Sequence, residues 1–188
     1  EIELLARRLA AAEHVIVTTP EDADVIALNT CAVTAQAERK TRHRIRSLHR
    51  DNPKARLAIV GCYATLRPET SAGLPGVHWV IPNTKKASTT DLLTNHARPT
   101  GHAEGTDEEL ETLRTRAFVK VQDGCDNHCT YCIVRRLRGP SRSRSLAEVV
   151  EEVRKLVQEA ESREVVLTGA CLGAYGRDRG YPHGLREL

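Results

Sequence analysis

Apolar residues at Ile2, Leu5, Leu9 and Ala12 recur at spacings of three and four, which predicts one hydrophobic stripe on a helix ending near His14. Two short β-branched runs follow, Val15 to Thr18 and Val25 to Asn29, and the turn-forming Thr19-Pro20-Glu21-Asp22 separates them. Both read as strands. Between Val33 and Arg50, the residues Val33, Ala37, Thr41, Ile45 and Leu48 share one helical face while Arg39, Arg42, Arg46 and Arg50 share another. This amphipathic helix stops before Pro53, because the residue preceding a proline is driven out of the α region. Leu57 to Val60 is a continuous apolar run ending in Gly61-Cys62, the pattern of a buried parallel strand, and Trp79 to Ile81 is a further strand before Pro82.

Strand and helix alternate, so residues 1–96 read as a doubly wound, parallel-sheet α/β domain. Residues 97–113 carry Pro99, Gly101, Gly105 and a cluster of acids with no apolar period, and read as a linker. From residue 114 a second unit begins: the strand Ala117 to Val121, a Cys-rich loop, a helix from Leu146 to about Ala160 and the strand Val165 to Thr168. This β-loop-α-β order is the opening of a second parallel α/β unit, of the kind that starts a β/α barrel.

Composition adds three constraints. Of 188 residues, 40% are hydrophobic and 28% charged, as in an ordinary soluble globular protein, and the longest nearly uncharged stretch, Leu57 to Leu66, is too short to cross a bilayer. No secretory signal opens the chain, so a cytoplasmic location is expected, and six Cys in a reducing compartment suggest metal or redox chemistry before disulfides. The chain has no Met and starts at Glu1 inside an expected helix, so it reads as a fragment, shortened at both ends. A formal charge of +3 is too small to argue for nucleic acid by itself.

The cysteines carry the chemistry. Cys125, Cys129 and Cys132 form Cys-x3-Cys-x2-Cys on the loop after a strand. Three thiolates on one tight loop can hold three corners of an iron–sulfur cube and leave the fourth iron open to a chelating ligand. The alternative is a structural zinc site closed by a fourth ligand such as His128, although no second knuckle follows.

This loop, in the run Gly124-Cys-Asp-Asn-His-Cys-Thr-Tyr-Cys132, resembles that of the radical S-adenosylmethionine enzymes, whose cysteines follow the first strand of a partial β/α barrel. The resemblance implies that Cys125, Cys129 and Cys132 bind a [4Fe–4S] cluster whose free iron chelates S-adenosylmethionine. It places Tyr131 near the adenine; a plain core aromatic is the other reading of that residue. Asn29-Thr30-Cys31 and Gly61-Cys62-Tyr63, each at the end of a strand, narrow the likeness to the methylthiotransferases. That family carries a second [4Fe–4S] cluster on three Cys, which implies that Cys31 and Cys62 are two of its ligands. The third lies on a strand before the first helix, which is not present here, so a half-site that binds its cluster poorly is expected. Taken singly, Cys31 and Cys62 also read as small buried hydrophobes.

Within the family, Asn29-Thr-Cys-Ala-Val-Thr34, Arg114 to Cys125 and Arg138-Gly-Pro-Ser-Arg-Ser143 are most similar to the bacterial branch that methylthiolates carbon 2 of N6-threonylcarbamoyladenosine in tRNA. Sister branches act on isopentenyladenosine in tRNA or on an aspartate of a ribosomal protein. Arg135 stands where the family usually has Pro. The resemblance also implies a main-chain contact from Gly169 to the S-adenosylmethionine amino group. Cys171 reads as a partly buried thiol with no role, and the glycines around it do not form a dinucleotide fingerprint.

Two basic clusters remain. Arg39, Arg42, Arg46 and Arg50 read equally as a solvated stripe or an RNA contact, whereas Arg138, Arg142 and Arg144, with Arg135 and Arg136, follow the cysteine loop and suit tRNA phosphates. The mechanism the family implies is one-electron cleavage of S-adenosylmethionine to a 5′-deoxyadenosyl radical, which takes hydrogen from an adenine carbon. An electron donor such as a flavodoxin or ferredoxin is implied, and a monomer is expected. A non-catalytic zinc module gripping RNA, and an iron–sulfur protein for electron transfer alone, are the rival readings.

Overall fold

The computed structural model describes residues 2–95, 116–158 and 164–188. They form two compact units, divided at Gly105/Thr106. The linker expected over 97–113 lies outside the described residues, as do both of its boundaries.

The first unit runs α1 (Ile2–Ala10), β1 (Val25–Thr30), α2 (Ala35–Asp51), β2 (Arg56–Gly61), α3 (Cys62–Leu66), α4 (Pro68–Ala72), β3 (Val77–Pro82) and α5 (Thr89–Thr94). Its sheet is parallel, in the order β1-β2-β3. Alternation along β2 decides which side each residue covers. Ala58 and Val60 join Ile81 and Leu93 in one core, which Leu9 of α1 and Leu92 of α5 complete. Leu57 and Ile59 take the opposite face and are fully buried there, with Leu57 and His49 of α2 both bordering Gly76. Helices therefore cover both faces, as the doubly wound reading expects.

Two local expectations are corrected. Helix α1 stops at Ala10 rather than near His14, because Glu13 turns to φ 62° and the His14 N–H returns to the Leu9 carbonyl at 3.0 Å. A left-handed residue after the last turn ends a helix whatever the apolar period says. Val15 to Thr18 is hydrogen-bonded into neither sheet. β-branched residues favour extended backbone, but a strand exists only against a partner edge, and among the described residues β1 pairs with β2 alone.

Thr34 caps α2, its hydroxyl accepting from the Ala37 N–H at 3.1 Å. Asn52 anchors the other end. Its side-chain nitrogen faces the carbonyls of Pro20, Glu21 and Ala23 at 2.9, 3.0 and 2.9 Å, and its oxygen accepts from the N–H groups of Lys54 and Ala55 at 3.1 Å. One side chain thus joins the segment before β1 to the segment before β2. The guanidinium of Arg56, at the start of β2, lies over Trp79 of β3, 5.3 Å from the ring centroid.

The second unit holds β4 (Arg116–Asp123), α6 (Val134–Arg138), β5 (Arg142–Ser143), α7 (Leu146–Gln158), β6 (Glu164–Gly169) and α8 (Gly184–Glu187). Strand β4 pairs with β6 in parallel and with the two-residue β5 in antiparallel fashion. Val119 and Val121 of β4 and Val149 of α7 form the core with Tyr175, and Val153, Leu156, Val165 and Leu167 pack against it. This is the expected β-loop-α-β unit, with α6 and β5 inside the connection. Residues 159 and 160 of the expected helix lie outside the described residues.

At the carboxyl end of β4, Asp123 receives Lys120 at 2.9 Å and Arg138 at 3.0 Å. Burial works against its charge. The hydrogen bond and charge of Lys120, the bond from Arg138 and the Gly124 N–H outweigh that, and the carboxyl titrates below the ordinary aspartate range. No helix among the described residues is long and apolar enough to cross a membrane.

Two outcomes are expected. Asn52→Ala removes the side-chain bonds to the Pro20, Glu21 and Ala23 carbonyls and the Lys54 and Ala55 N–H groups and lowers stability by about 1–3 kcal/mol in urea denaturation followed by circular dichroism, while the exposed Arg39→Ala stays within about 0.5 kcal/mol of wild type. Because the native Asp123 carboxyl titrates below its unfolded value, its stabilisation is complete above about pH 4 and is lost as pH falls through the native value. Asp123→Asn is therefore less stable than wild type at neutral pH, and the gap narrows on acidification below about pH 4.

Candidate functional site

Strand β4 delivers the three-cysteine loop through one glycine. Gly124 has φ +74°, and a β-carbon there would lie 1.9 Å from the Pro140 carbonyl oxygen. No side chain fits, so the chain passes straight from the Asp123 ion cluster into Cys125. Behind it the Cys125 N–H donates to the Gly139 carbonyl at 3.1 Å, and the Ser141 N–H to the Asp126 carboxylate at 3.2 Å. The Cys132 N–H closes a turn on the Cys129 carbonyl at 3.1 Å. Arg135, in the first turn of α6, reaches back across the loop: its guanidinium donates to the Asp126 carbonyl and to His128 Nε2, each at 2.6 Å.

All three thiols are free, Cys125 half-buried and Cys129 and Cys132 exposed. Among the described residues no three His, Cys, Asp or Glu side chains converge on one ion-sized point. An iron–sulfur cube takes each thiolate on a different iron. The donor set fits the cube: soft thiols spread along one accessible loop. His128 suits a zinc site poorly, since arginine can only donate and so occupies Nε2 as acceptor. Tyr131 is 90% exposed beside Cys132, which removes its reading as a core aromatic.

Cys171 and Gly169 come to the same end of the sheet. In the β4–β6 ladder Gly169 is opposite Gln122, and a β-carbon on Gly169 would meet the Gln122 amide oxygen at 3.0 Å. That oxygen accepts from the Cys171 N–H at 2.9 Å. Asn127 of the cysteine loop lies 3.9 Å from the Cys171 sulfur. Burial, and then the neighbouring Cys125 thiol, push the Cys171 thiol up from its ordinary value. Cys171 is therefore a neighbour of the loop, rather than an isolated thiol.

In the first unit, the ladder pairs Thr30 with Gly61, so Cys31 and Cys62 directly follow the last pair at one edge of the sheet. Gly61 takes φ +102°, where a β-carbon would lie 2.8 Å from Asn29 Oδ1. The Thr30 hydroxyl donates to the Val60 carbonyl at 2.7 Å and accepts the Tyr63 N–H at 3.2 Å, tying the two strand ends together. Cys31 is exposed and Cys62 buried. Asn83 Nδ2 lies 3.4 Å from the Cys62 sulfur, and Lys86 donates to Asn29 Oδ1 at 2.9 Å. A cleft beside Cys31 is lined in part by Lys40 and Arg44, neither of them in the expected arginine stripe.

The arginines sort by partner. Arg138 is held by Asp123 and Arg144 by Glu152, the latter also donating to the Lys120 carbonyl at 3.2 Å. Arg142 is exposed and donates to the Arg138 carbonyl at 2.9 Å, and Arg136 is exposed. On α2, Arg42 meets Glu38 at 3.7 Å and Arg50 meets Asp51 at 3.9 Å. Sequence reading missed Gln122, Asp123 and Asp126. Gln122 stands next to last in the strand that carries the core valines Val119 and Val121 and is only 1% exposed, a burial that residue order alone does not announce.

Two families match the chain in succession: the "Uncharacterized protein family UPF0004" over residues 1–81 and the "Radical SAM superfamily" over residues 119–175. A threonylcarbamoyladenosine tRNA methylthiotransferase MtaB of Aquifex aeolicus is 35% identical over 193 residues, covering 96% of this chain and 47% of the relative. A ribosomal protein uS12 methylthiotransferase RimO of Solibacter usitatus is 31% identical, with 99% and 42% covered. A tRNA-2-methylthio-N(6)-dimethylallyladenosine synthase of Thermodesulfovibrio yellowstonii is 30% identical, with 85% and 39% covered. The chain thus spans less than half the length of these relatives. With both families matched in order and methylthiotransferases aligned along nearly all of it, the chain belongs to the radical S-adenosylmethionine methylthiotransferase family.

Proposed function

We propose that this protein adds a methylthio group to carbon 2 of N6-threonylcarbamoyladenosine at position 37 of tRNA, using radical S-adenosylmethionine chemistry. The observation that carries the reading is the Cys125, Cys129 and Cys132 loop, hung by Gly124 on the carboxyl end of the first strand of a βαβ unit. The 35% identity to a relative named for threonylcarbamoyladenosine supports the substrate, against 31% and 30% for relatives named for the other two.

In this reading Cys125, Cys129 and Cys132 hold a [4Fe–4S] cluster. When bound together with S-adenosylmethionine, it supplies a carbon radical strong enough to take hydrogen from adenine carbon 2. Tyr131 offers an exposed ring for the adenine of the cofactor, and Gly169 a side-chain-free strand end for main-chain contact to its amino group. Cys31 and Cys62 are two of the ligands of the second cluster. A flavodoxin or ferredoxin is the proposed electron donor. The exposed Arg136 and Arg142 serve the RNA phosphates, while Arg138 and Arg144 are taken up by Asp123 and Glu152 and hold the fold around the loop.

Anaerobic reconstitution with iron and sulfide should give a brown protein that cleaves S-adenosylmethionine to 5′-deoxyadenosine under dithionite, and Cys129→Ala should abolish the cleavage and lower the bound iron. A colourless protein holding one zinc overturns the reading. In cells lacking the gene, mass spectrometry of tRNA nucleosides should show loss of the methylthio group from threonylcarbamoyladenosine; its retention overturns the substrate. Arg136→Ala and Arg142→Ala should each lower the salt dependence of tRNA binding by about one phosphate contact, whereas Arg144→Ala should act on melting temperature.

A further inference from the structure

Gln122 is a polar side chain in an apolar place. It follows the core residues Val119 and Val121, is 1% exposed, and its carboxamide is fully engaged. The amide nitrogen lies 3.0 Å from the Asp123 carbonyl, 2.8 Å from the Gly124 carbonyl and 2.9 Å from the Ser141 hydroxyl. The amide oxygen accepts the Cys171 N–H at 2.9 Å. One group therefore grips the hinge of the cysteine loop, the residue before β5 and the turn after β6. The last two are 30 residues apart in sequence. The β4–β6 register shifts between Lys120 and Gln122, which brings Gly169 directly opposite it, where a β-carbon would lie 3.0 Å from the Gln122 amide oxygen.

We propose that Gln122 is a positioning residue that fixes the cysteine loop relative to the turn after β6, so that S-adenosylmethionine binding depends on it. This rests on the cofactor reading above. The chemistry of the side chain is specific: a carboxamide has two N–H donors and one carbonyl acceptor on a planar group, and both halves are used. Glutamate keeps the shape and the acceptor but turns an oxygen toward the Asp123 and Gly124 carbonyls. Methionine keeps the length and removes every hydrogen bond, leaving the Cys171 N–H without its partner. In either case the two segments lose their common reference while the three thiols are untouched.

The test uses the full protein as wild type, Gln122→Glu, Gln122→Met and Ser141→Ala, with Val149→Ala as a core-destabilised control outside this network. In the cluster-free protein, hydrogen exchange should rise together in residues 124–132 and 169–175 for both Gln122 variants, and by less for Ser141→Ala. After anaerobic reconstitution the Gln122 variants should retain iron but bind S-adenosylmethionine roughly tenfold more weakly and lose the change that it causes in the electron paramagnetic resonance of the reduced cluster. Val149→Ala should lower the melting temperature and leave that affinity and that spectrum as in wild type. Unchanged affinity and exchange in the Gln122 variants overturn the proposal, as does an equal loss of affinity in Val149→Ala. If the Gln122 variants do not fold, Ser141→Ala decides: wild-type exchange in both segments overturns it. A wild-type protein that takes up no iron overturns the cofactor reading instead, and the exchange arm still reports whether Gln122 couples the two segments.

Discussion

Parallel pairing is the constraint on which the rest of this chain depends. Strands that run the same way bring all their carboxyl ends to one edge, and in open α/β sheets that edge is where ligands are met. Four of the six cysteines stand within two residues of such an end: Cys31 after β1, Cys62 after β2, Cys125 after β4 and Cys171 after β6. Each unit repeats the device independently. Chemistry at these positions needs no long excursion from the sheet, because the ladder itself aligns the residues that follow it.

An edge of this kind works only where the chain can leave the strand without a side chain in the way. Gly61 and Gly124 both occupy positive φ directly before a cysteine, and each abuts polar atoms that a β-carbon would strike. Before Cys171 the requirement is looser: a β-carbon on Gly169 would lie 3.0 Å from the Gln122 amide oxygen, at ordinary backbone angles. The glycine is thus a spatial requirement of the thiol that follows. Polar side chains then lock the exits: Thr30 and Thr65 at the end of β2, and Asp123, Gln122 and Ser141 at the end of β4.

Much of this was legible in residue order. Helix α2 announced itself because Thr41, Ile45 and Leu48 keep their period over a long segment, and the cysteine loop because its spacing is local. The segment Val15 to Thr18 was not legible, since strand propensity says nothing about whether a partner edge lies alongside. Elements α6 and β5 are five and two residues long and carry no period. The ion pairs of Arg138 and Arg144 were not legible, because Asp123 and Glu152 reach them only through the fold of the connection and the first turns of α7. Gln122 was invisible for a related reason: its partner at Cys171 lies 49 residues away and is brought there by the β4–β6 ladder.

The Arg56 stack on Trp79 has an optical consequence. Trp79 is the single tryptophan of the chain, and it sits on β3 in the first unit. Intrinsic emission excited at the indole band therefore comes from that unit alone, quenched or shifted by whatever the guanidinium above it does. The cysteine loop of the second unit contributes only tyrosine light, from Tyr131, with Tyr175 and Tyr181 beyond it. A melting curve recorded on tryptophan emission would follow the sheet behind Cys31 and Cys62.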